Sequence, residues 1–486
     1  MNLAPVQMLN EESRPGRRCM RTRGADRRKA ATGLPAEELR AAPPALPEIG
    51  ELDLLRHFTR LSQKNFAIST NFYPLGSCTM KYNPVVHEAT AARAEWAGLH
   101  PWQDAADVQG ALRVMHDLAR DLAELTGLPG VTLHPAAGAH GELSALMVLR
   151  AHYEARGESQ RRTILIPDSA HGTNPASCTL AGFQVVTIHS DERGLCDPAD
   201  LKAHLGPDTA GLMITNPNTL GLFEENIAEI CRLVHAAGGK VYMDGANFNA
   251  IVGVARPADF GVDMMHLNLH KTMSTPHGGG GPGAGPICVT EELARWLPNP
   301  RVVKGKDGKY ALEDCADSFG RLRGWHGNFL VLLRAWLYVK RLGAEGLRRV
   351  AENAVLNANY LRVQVAQHWR IAYDRVCMHE FVVRPTRGMK EQDVHTIDVA
   401  KRLIELGFHP PTVYFPLVVN EAIMIEPTET ESKETLDGFA AAMAQIAREA
   451  EAGDPALHAA PRNTPVGRVD EARAVKEPRL CWQCGS

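Results

Sequence analysis

One stretch, residues 240–286, constrains the chain more than any other. It holds two short apolar runs. Val241–Met243 ends on Asp244, and Met264–Leu269 leads into His270 and Lys271. Each run is bounded by turn residues, the pattern of a strand buried on both faces of a parallel sheet. An acid at the end of one strand and a lysine at the end of a nearby one meet at the same sheet edge. In open α/β sheets that edge is where ligands bind. Thr163–Pro167, Gln184–His189 and Gly211–Thr215 are further strand candidates, and helical patterns such as Glu225–Ala237 separate several of them. Repeated βαβ units predict a mostly parallel sheet with helices on both faces.

A buried lysine is costly unless it has a partner or a chemistry. Pyridoxal 5'-phosphate supplies both: the lysine forms a Schiff base with its aldehyde, and an acid keeps its ring nitrogen protonated. Lys271 and Asp244 suit those two roles. The same spacing also fits a surface lysine beside a Gly-rich loop. Ser274 or Thr275 could reach the phosphate, and the glycines behind them let backbone pass close to it. Gly138 and Ala139 lead into a helix that starts near His140, and bare N–H groups at a helix N-terminus make an anion site. His171, after the first of these strands, is a candidate to stack on the ring, with His140 a second candidate. Asn216 could donate to the cofactor's phenolic oxygen. Gly278, Gly280 and Gly283 satisfy G-x-G-x-x-G literally. Pro282 and Pro286 intervene, and no ribose-binding acid follows about twenty residues on, so nicotinamide binding is not expected.

The segment His266–Pro286, HLNLHKTMSTPHGGGGPGAGP, resembles the cofactor-lysine segment of glycine dehydrogenase (decarboxylating), the P-protein of the glycine cleavage system. So do, in order, NFYPLGSCTMKYNP (Asn71–Pro84), HPAAGAHGEL (His134–Leu143), DSAHGTNPAS (Asp168–Ser177), TNPNTLGLFE (Thr215–Glu224), GFHPPTVYFPL (Gly407–Leu417) and MIEPTETESKETLD (Met424–Asp437). Length and motifs resemble the second subunit of the split, two-subunit form. The resemblance implies an aspartate-aminotransferase-like α/β fold, fold type I of the pyridoxal-phosphate enzymes. A seven-stranded-type large domain would be joined to a smaller C-terminal α/β domain. It implies Lys271, Asp244 and His171 as catalytic residues, and Gly138, Ala139, His140, Thr173, Asn216, Asn247, His270 and Ser274 around the cofactor. The loop carrying Ser77, Cys78, Thr79, Lys81 and Tyr82 would line the substrate channel. The implied substrate is glycine, which loses carbon dioxide and passes its aminomethyl group to the lipoyl arm of the H-protein. The implied assembly pairs two copies of this chain with two of a lysine-free first subunit, an α2β2 heterotetramer.

Composition sets the remaining bounds. The chain has 486 residues, 44% hydrophobic, and a formal net charge of -3 from 53 basic and 56 acidic residues. That near balance argues against nucleic acid as main partner. No apolar run approaches the ~20 residues of a membrane helix. Ten scattered cysteines fit a reducing, cytoplasmic setting. Cys481 and Cys484 form a lone CxxC without partners for a metal. The expected organisation is an extended basic arm over 1–50 and a cofactor-binding domain over 51–330, opened by the apolar helix pattern Leu54, Leu55, Phe58 and Leu61. A small domain over 331–454 and an extended tail over 455–486 follow. Arg17, Arg18, Arg21, Arg23, Arg27, Arg28 and Lys29 crowd the arm, which either grips another subunit or is a solvated charge run. Lys304–Asp317 reads as an irregular charged loop. Two other classes stay open at this point. One is another fold type I enzyme, such as an aminotransferase or cysteine desulfurase; the other is a non-enzymatic scaffold with Lys271 idle.

Overall fold

The computed structural model describes residues 6–19, 34–42, 44–278 and 283–478. Arg21, Arg23, Arg27, Arg28, Lys29, Gly280, Pro282, Cys481 and Cys484 lie outside the described residues. Two compact units divide the chain, Met1–Thr70 with Ala459–Ser486, and Asn71–His458.

In the first unit a helical turn, Leu9–Glu12, precedes the helix Glu51–Ser62. Glu12 lies 3.7 Å from Arg60 and 3.8 Å from His57, and Arg17 lies 3.4 Å from Asp53. The apolar pattern of the longer helix is real but does not face a core. Leu52, Leu55 and Phe58, one turn apart, are all more than half exposed.

The second unit is built on seven strands: β1 (Gly130–Thr132), β2 (Thr163–Pro167), β3 (Gln184–Ile188), β4 (Thr209–Thr215), β5 (Lys240–Gly245), β6 (Met264–Leu267) and β7 (Ile287–Val289). Their order is β1-β7-β6-β5-β4-β2-β3. Strands β2 to β6 pair in parallel, and β7 runs antiparallel to both neighbours. Side chains alternate across the sheet with the period of two that a strand imposes. Leu165, Leu212, Met243 and Met265 enter one apolar cluster, while Ile164, Met213, Tyr242 and Met264 enter another. Both faces are therefore covered, which is why these strands read as unbroken apolar runs.

A hairpin, β8 (Arg301–Lys304) with β9 (Tyr310–Glu313), replaces the irregular loop expected at Lys304–Asp317. Its turn carries Gly308 at φ 83° and the charges Lys306, Asp307 and Lys309, which hide two four-residue strands in a charged stretch. The helical run Phe329–Val365 breaks at Gly343 (φ 62°, ψ -171°), a conformation that costs glycine little, so the run is two helices joined at that residue. Behind them β10 (Arg370–Ile371), β11 (Phe381–Arg384), β12 (Thr412–Val413) and β13 (Ile423–Ile425) form an antiparallel sheet in the order β10-β11-β13-β12. The helices Thr396–Glu405 and Lys433–Glu451 supply Val399, Leu403, Phe439 and Met443 to its core.

Candidate active site

The carboxyl ends of β2, β4, β5 and β6 bring four polar loops to one edge. Strand β6 stops at Leu267, two residues short of the expected run. Asn268 then opens a turn whose carbonyl accepts the Lys271 amide at 3.0 Å. Lys271 is half-buried on this turn, and Thr272, Ser274 and Thr275 beside it are buried.

Asp244 pairs with His266 in the β5–β6 register and is almost wholly buried. Its Oδ1 accepts the Ala246 amide at 2.9 Å, its Oδ2 accepts Asn174 Nδ2 at 3.1 Å, and His266 Nε2 lies 3.4 Å away. Burial alone would raise its pKa. His266, these two hydrogen bonds and the charge of Lys271 outweigh burial and hold the carboxyl below the ordinary value. Asp244 is thus an ionised acid in a dry place, able to hold a proton on a partner nitrogen. A second acid backs this group. Glu142 accepts the hydroxyls of Thr173 and Ser177, each at 2.8 Å, tying the helix Gly138–Ala155 to the helix Thr173–Leu180, which opens from the loop after β2.

His171 sits exposed on that loop. Its Nδ1 accepts the Thr173 amide at 3.2 Å, and its ring meets Phe415 edge-on at 5.5 Å. Gly138 opens its helix, and no side chain caps that end. A Cβ on Gly138 would stand 2.4 Å from Asn268 Oδ1, so only glycine lets the helix end approach the lysine turn this closely. Ala139 follows it, and His140 turns back to accept the Ala136 amide at 3.1 Å. Asn216 accepts the Glu224 amide at 3.1 Å and leaves its Nδ2 unpartnered. Asn247 donates to the Pro217 carbonyl at 2.9 Å and leaves its Oδ1 unpartnered. His270 Nδ1 is also unpartnered; burial, with His277 and Lys271 nearby, lowers that ring to about 3 and keeps it neutral. The Ser274 hydroxyl donates to the Tyr82 carbonyl, whereas Thr275 Oγ1 has no partner.

The loop 75–83 runs along the lysine turn. Ser77 and Thr79 have positive φ, 63° and 51°, a strained state for residues other than glycine. The Ser77 amide donates to Glu380 at 2.7 Å, and the Thr79 amide and hydroxyl donate to Glu426 at 2.9 and 2.6 Å. Burial raises the Cys78 thiol although the charge of Lys271 works against it. Lys81 is fully committed: its Nζ donates to Glu429 at 2.6 Å, the Thr272 carbonyl at 3.1 Å and Tyr338 at 3.3 Å. Burial would lower Lys81, but Glu429 and Tyr338 raise it. Tyr82 is half exposed.

Sequence reasoning missed Glu142, Asn174, His266, Glu380 and Glu426. The signal for the last two was present. Glu380 precedes the apolar run of β11 and Glu426 follows that of β13, the same strand-end placement that singles out Asp244 and Lys271.

Buried polar atoms without partners crowd this edge: Asn174 Oδ1, Asn216 Nδ2, Asn247 Oδ1, Thr272 Oγ1, Thr275 Oγ1 and His277 Nε2. Natural interiors rarely leave such groups unpaired, and here they surround a lysine, an ionised acid and an uncapped helix end. That donor set fits a compact, aromatic, phosphorylated aldehyde. Fold and site together define a pyridoxal-phosphate-dependent enzyme of fold type I. The profile described as "Glycine cleavage system P-protein" matches residues 31–313, and "Glycine dehydrogenase, C-terminal domain" matches 350–464. A probable glycine dehydrogenase (decarboxylating) subunit 2 of Caldanaerobacter subterraneus subsp. tengcongensis is 55% identical over 92% of each chain. One of Listeria welshimeri serovar 6b is 52% identical over 99% of each. The crystal structure of an inhibitor-bound glycine decarboxylase (P-protein) of the glycine cleavage system superposes with a TM-score of 0.73 at 22% identity. That match covers 85% of this chain and 94% of the other. The chain belongs to the glycine cleavage system P-protein family.

Proposed function

We propose that this chain is the lysine-bearing subunit of a two-subunit glycine decarboxylase. Glycine loses its carboxylate as carbon dioxide, and the remaining aminomethyl group goes to the oxidised lipoyl arm of an H-protein. The observation that carries this reading is the meeting of Lys271 and the ionised Asp244 at the ends of paired strands, in a chain of this family. Bound pyridoxal phosphate supplies the electron sink for the pair left when carbon dioxide departs. Lys271 is its covalent anchor. Asp244, with its charge fixed by His266 and Asn174, keeps the ring nitrogen protonated. His171 is the ring's stacking partner. Gly138, Ala139, His140 and Thr275 serve the phosphate end, with Thr173, Ser274 and His270 close by. Asn216 and Asn247 offer an unpartnered donor and an unpartnered acceptor to the ring substituents. Ser77–Asn83 forms part of the wall that excludes substrates bulkier than glycine.

Two further features support assembly with a first subunit. The relatives are named subunit 2, and the apolar row Leu52, Leu55 and Phe58 lies open. A contiguous apolar face of this kind marks an interaction surface. The assembly proposed is two copies of each subunit. No helix among the described residues is long and apolar enough to cross a membrane, and the eight described cysteines are free thiols. A cytoplasmic setting is proposed on that basis.

The test is exchange of labelled bicarbonate into glycine by the assembled subunits, with lipoylated H-protein present. Exchange is expected, together with a near-visible absorbance band from the bound cofactor. Lys271→Ala should lose both while its circular dichroism stays native. Persistence of the band in that variant, or no exchange by the wild-type assembly, would refute the reading.

A further inference from the structure

Strands β11 and β13 pair with Phe381 opposite Ile425, Val382 opposite Met424 and Val383 opposite Ile423. Continued by one residue, that register sets Glu380 opposite Glu426. Both side chains are wholly buried. Like charges directly opposite on a sheet are unfavourable, and two carboxylates sharing a dry site do not both ionise. Hydrogen bonds distinguish the two. Glu426 accepts the Thr79 amide, the Thr79 hydroxyl and, at 3.4 Å, Asn249 Nδ2. Among the described residues Glu380 accepts only the Ser77 amide, on Oε2, and its Oε1 has no partner. A carboxyl surrounded by donors keeps its charge; one with a bare oxygen suits a proton. His379, buried with both ring nitrogens unpartnered, has Nε2 3.6 Å from that bare oxygen. Burial, then the charge of Glu426, drives the Glu380 carboxyl well above its ordinary value; burial raises Glu426 as well, but there the two Thr79 hydrogen bonds and the charge of Lys271 pull the other way. The other titratable groups around the pair are Lys271, Cys78, Cys377, His379 and Glu429.

We propose that Glu380 and Glu426 share one proton, Glu380 as the acid and Glu426 as the carboxylate. The singly charged pair is a positioning device: it pins the strained Ser77–Thr79 loop and gives Lys271 its counter-charge. The counter-charge half rests on Lys271 being the cofactor's anchor, and the proton half does not. One carboxylate balances one lysine charge, whereas two would repel each other and release an amide of the loop.

Infrared spectroscopy of the full chain without cofactor tests the proton. Burial raises Glu224 and Glu431 only to about 7, so both are ionised at about pH 9, well above the ordinary carboxyl range. A protonated-carboxyl stretch, shifted in heavy water, should persist there and vanish in Glu380→Gln. Absence of the band in the wild type, or its survival in that variant, overturns the proton assignment whatever the cofactor does. The counter-charge is read from the pH midpoint of the near-visible band in the cofactor-loaded assembly. Glu426→Gln should lower that midpoint by about one pH unit, a tenfold change in proton affinity. Glu426→Asp, which keeps the charge, should restore it, and Glu380→Gln should leave it in place. An unmoved midpoint in Glu426→Gln, or Glu426→Asp behaving like Glu426→Gln, overturns the counter-charge role. Failure of the underlying reading shows separately, as a band that survives Lys271→Ala.

Discussion

Lys81 offers a direct test of how the loop 75–83 is held. Its ammonium has no exposure to speak of and three acceptors: Glu429 at 2.6 Å, the Thr272 carbonyl at 3.1 Å and Tyr338 at 3.3 Å. In Lys81→Met the methionine fills much of the same length, so little cavity forms and the loss is electrostatic. Glu429 Oε2 already lacks a partner, so the variant strands a buried carboxyl with only the Tyr338 hydroxyl on it. Removing one partner of a buried pair costs about 3–5 kcal/mol. Removing both should cost far less, so Lys81→Met/Glu429→Leu should recover most of that loss. The pH dependence follows from the sign. Lys81 is raised in the fold, so its contribution is full below the ordinary lysine value, about 10.4, and fades only as pH climbs beyond it. Urea unfolding at neutral pH, followed by circular dichroism for all three chains, gives the free energies. A loss under about 1 kcal/mol in Lys81→Met, or a double variant worse than the single, would refute the argument. Thr272 neighbours Lys271, so the single variant should also retain pyridoxal phosphate less tightly, by equilibrium dialysis.

Asp244→Asn should still take up the cofactor but lose at least about tenfold in bicarbonate exchange, because the amide cannot supply the charge that one pKa unit or more of ring-nitrogen protonation requires; exchange at the native rate would show that the acid is elsewhere. Burial raises Glu224 to about 7 against the pull of the Cys196 amide. Between the unfolded value near 4.3 and about 7 the native chain holds a proton the unfolded chain has lost, so stability should fall across that window, by on the order of 3–4 kcal/mol. Melting temperature against pH should show that step in the wild type and not in Glu224→Gln. Deleting residues 1–30 should weaken assembly with the first subunit more than cofactor uptake; gel filtration giving equal heterotetramer from both forms would leave the arm as a solvated tail.

The elements legible in the sequence were those with a strong physical signature. Thr163–Pro167 was found to the residue, and β4, β5 and β6 to within two, because strands covered on both faces leave no room for polar interruptions. Lys271 and Asp244 stood out because charge at the end of such a run has few structural reasons to exist. The strand β1 escaped, since three residues show no period. Residues whose roles depend on pairing across the chain escaped too. Glu142 reaches Thr173 and Ser177, Glu426 reaches Thr79, and Glu429 reaches Lys81, across separations of 31 to 348 residues that no local pattern encodes. The apolar helix near residue 55 was legible as a helix but not as an open face, because periodicity reports that one side is apolar and not what covers it.

Glycine offers no side chain to hold, so its enzyme can select it only by denying space to everything larger. A hydrophobic wall discriminates by about 1–3 kcal/mol per excluded methylene, and only if the wall does not yield. The proposed wall, Ser77–Asn83, is polar and turn-rich, a composition that left to itself would move. Its stiffness comes from outside. Gly76 presses so close to Met424 that a Cβ would stand 2.3 Å from that side chain. Glu380 and Glu426 hold Ser77 and Thr79. Lys81 is bound to Glu429 and Thr272, and Asn83 donates to the Ser274 carbonyl at 2.9 Å. Four of these anchors, Met424, Glu380, Glu426 and Glu429, belong to the C-terminal sheet and its flanking residues, and two, Thr272 and Ser274, to the lysine turn. The loop is therefore the piece that fixes one against the other, and if it is the proposed wall a substrate's bulk has to be accommodated by all of them at once. That accounts for the three glutamates, Glu380, Glu426 and Glu429, buried beside the proposed lysine and aspartate pair.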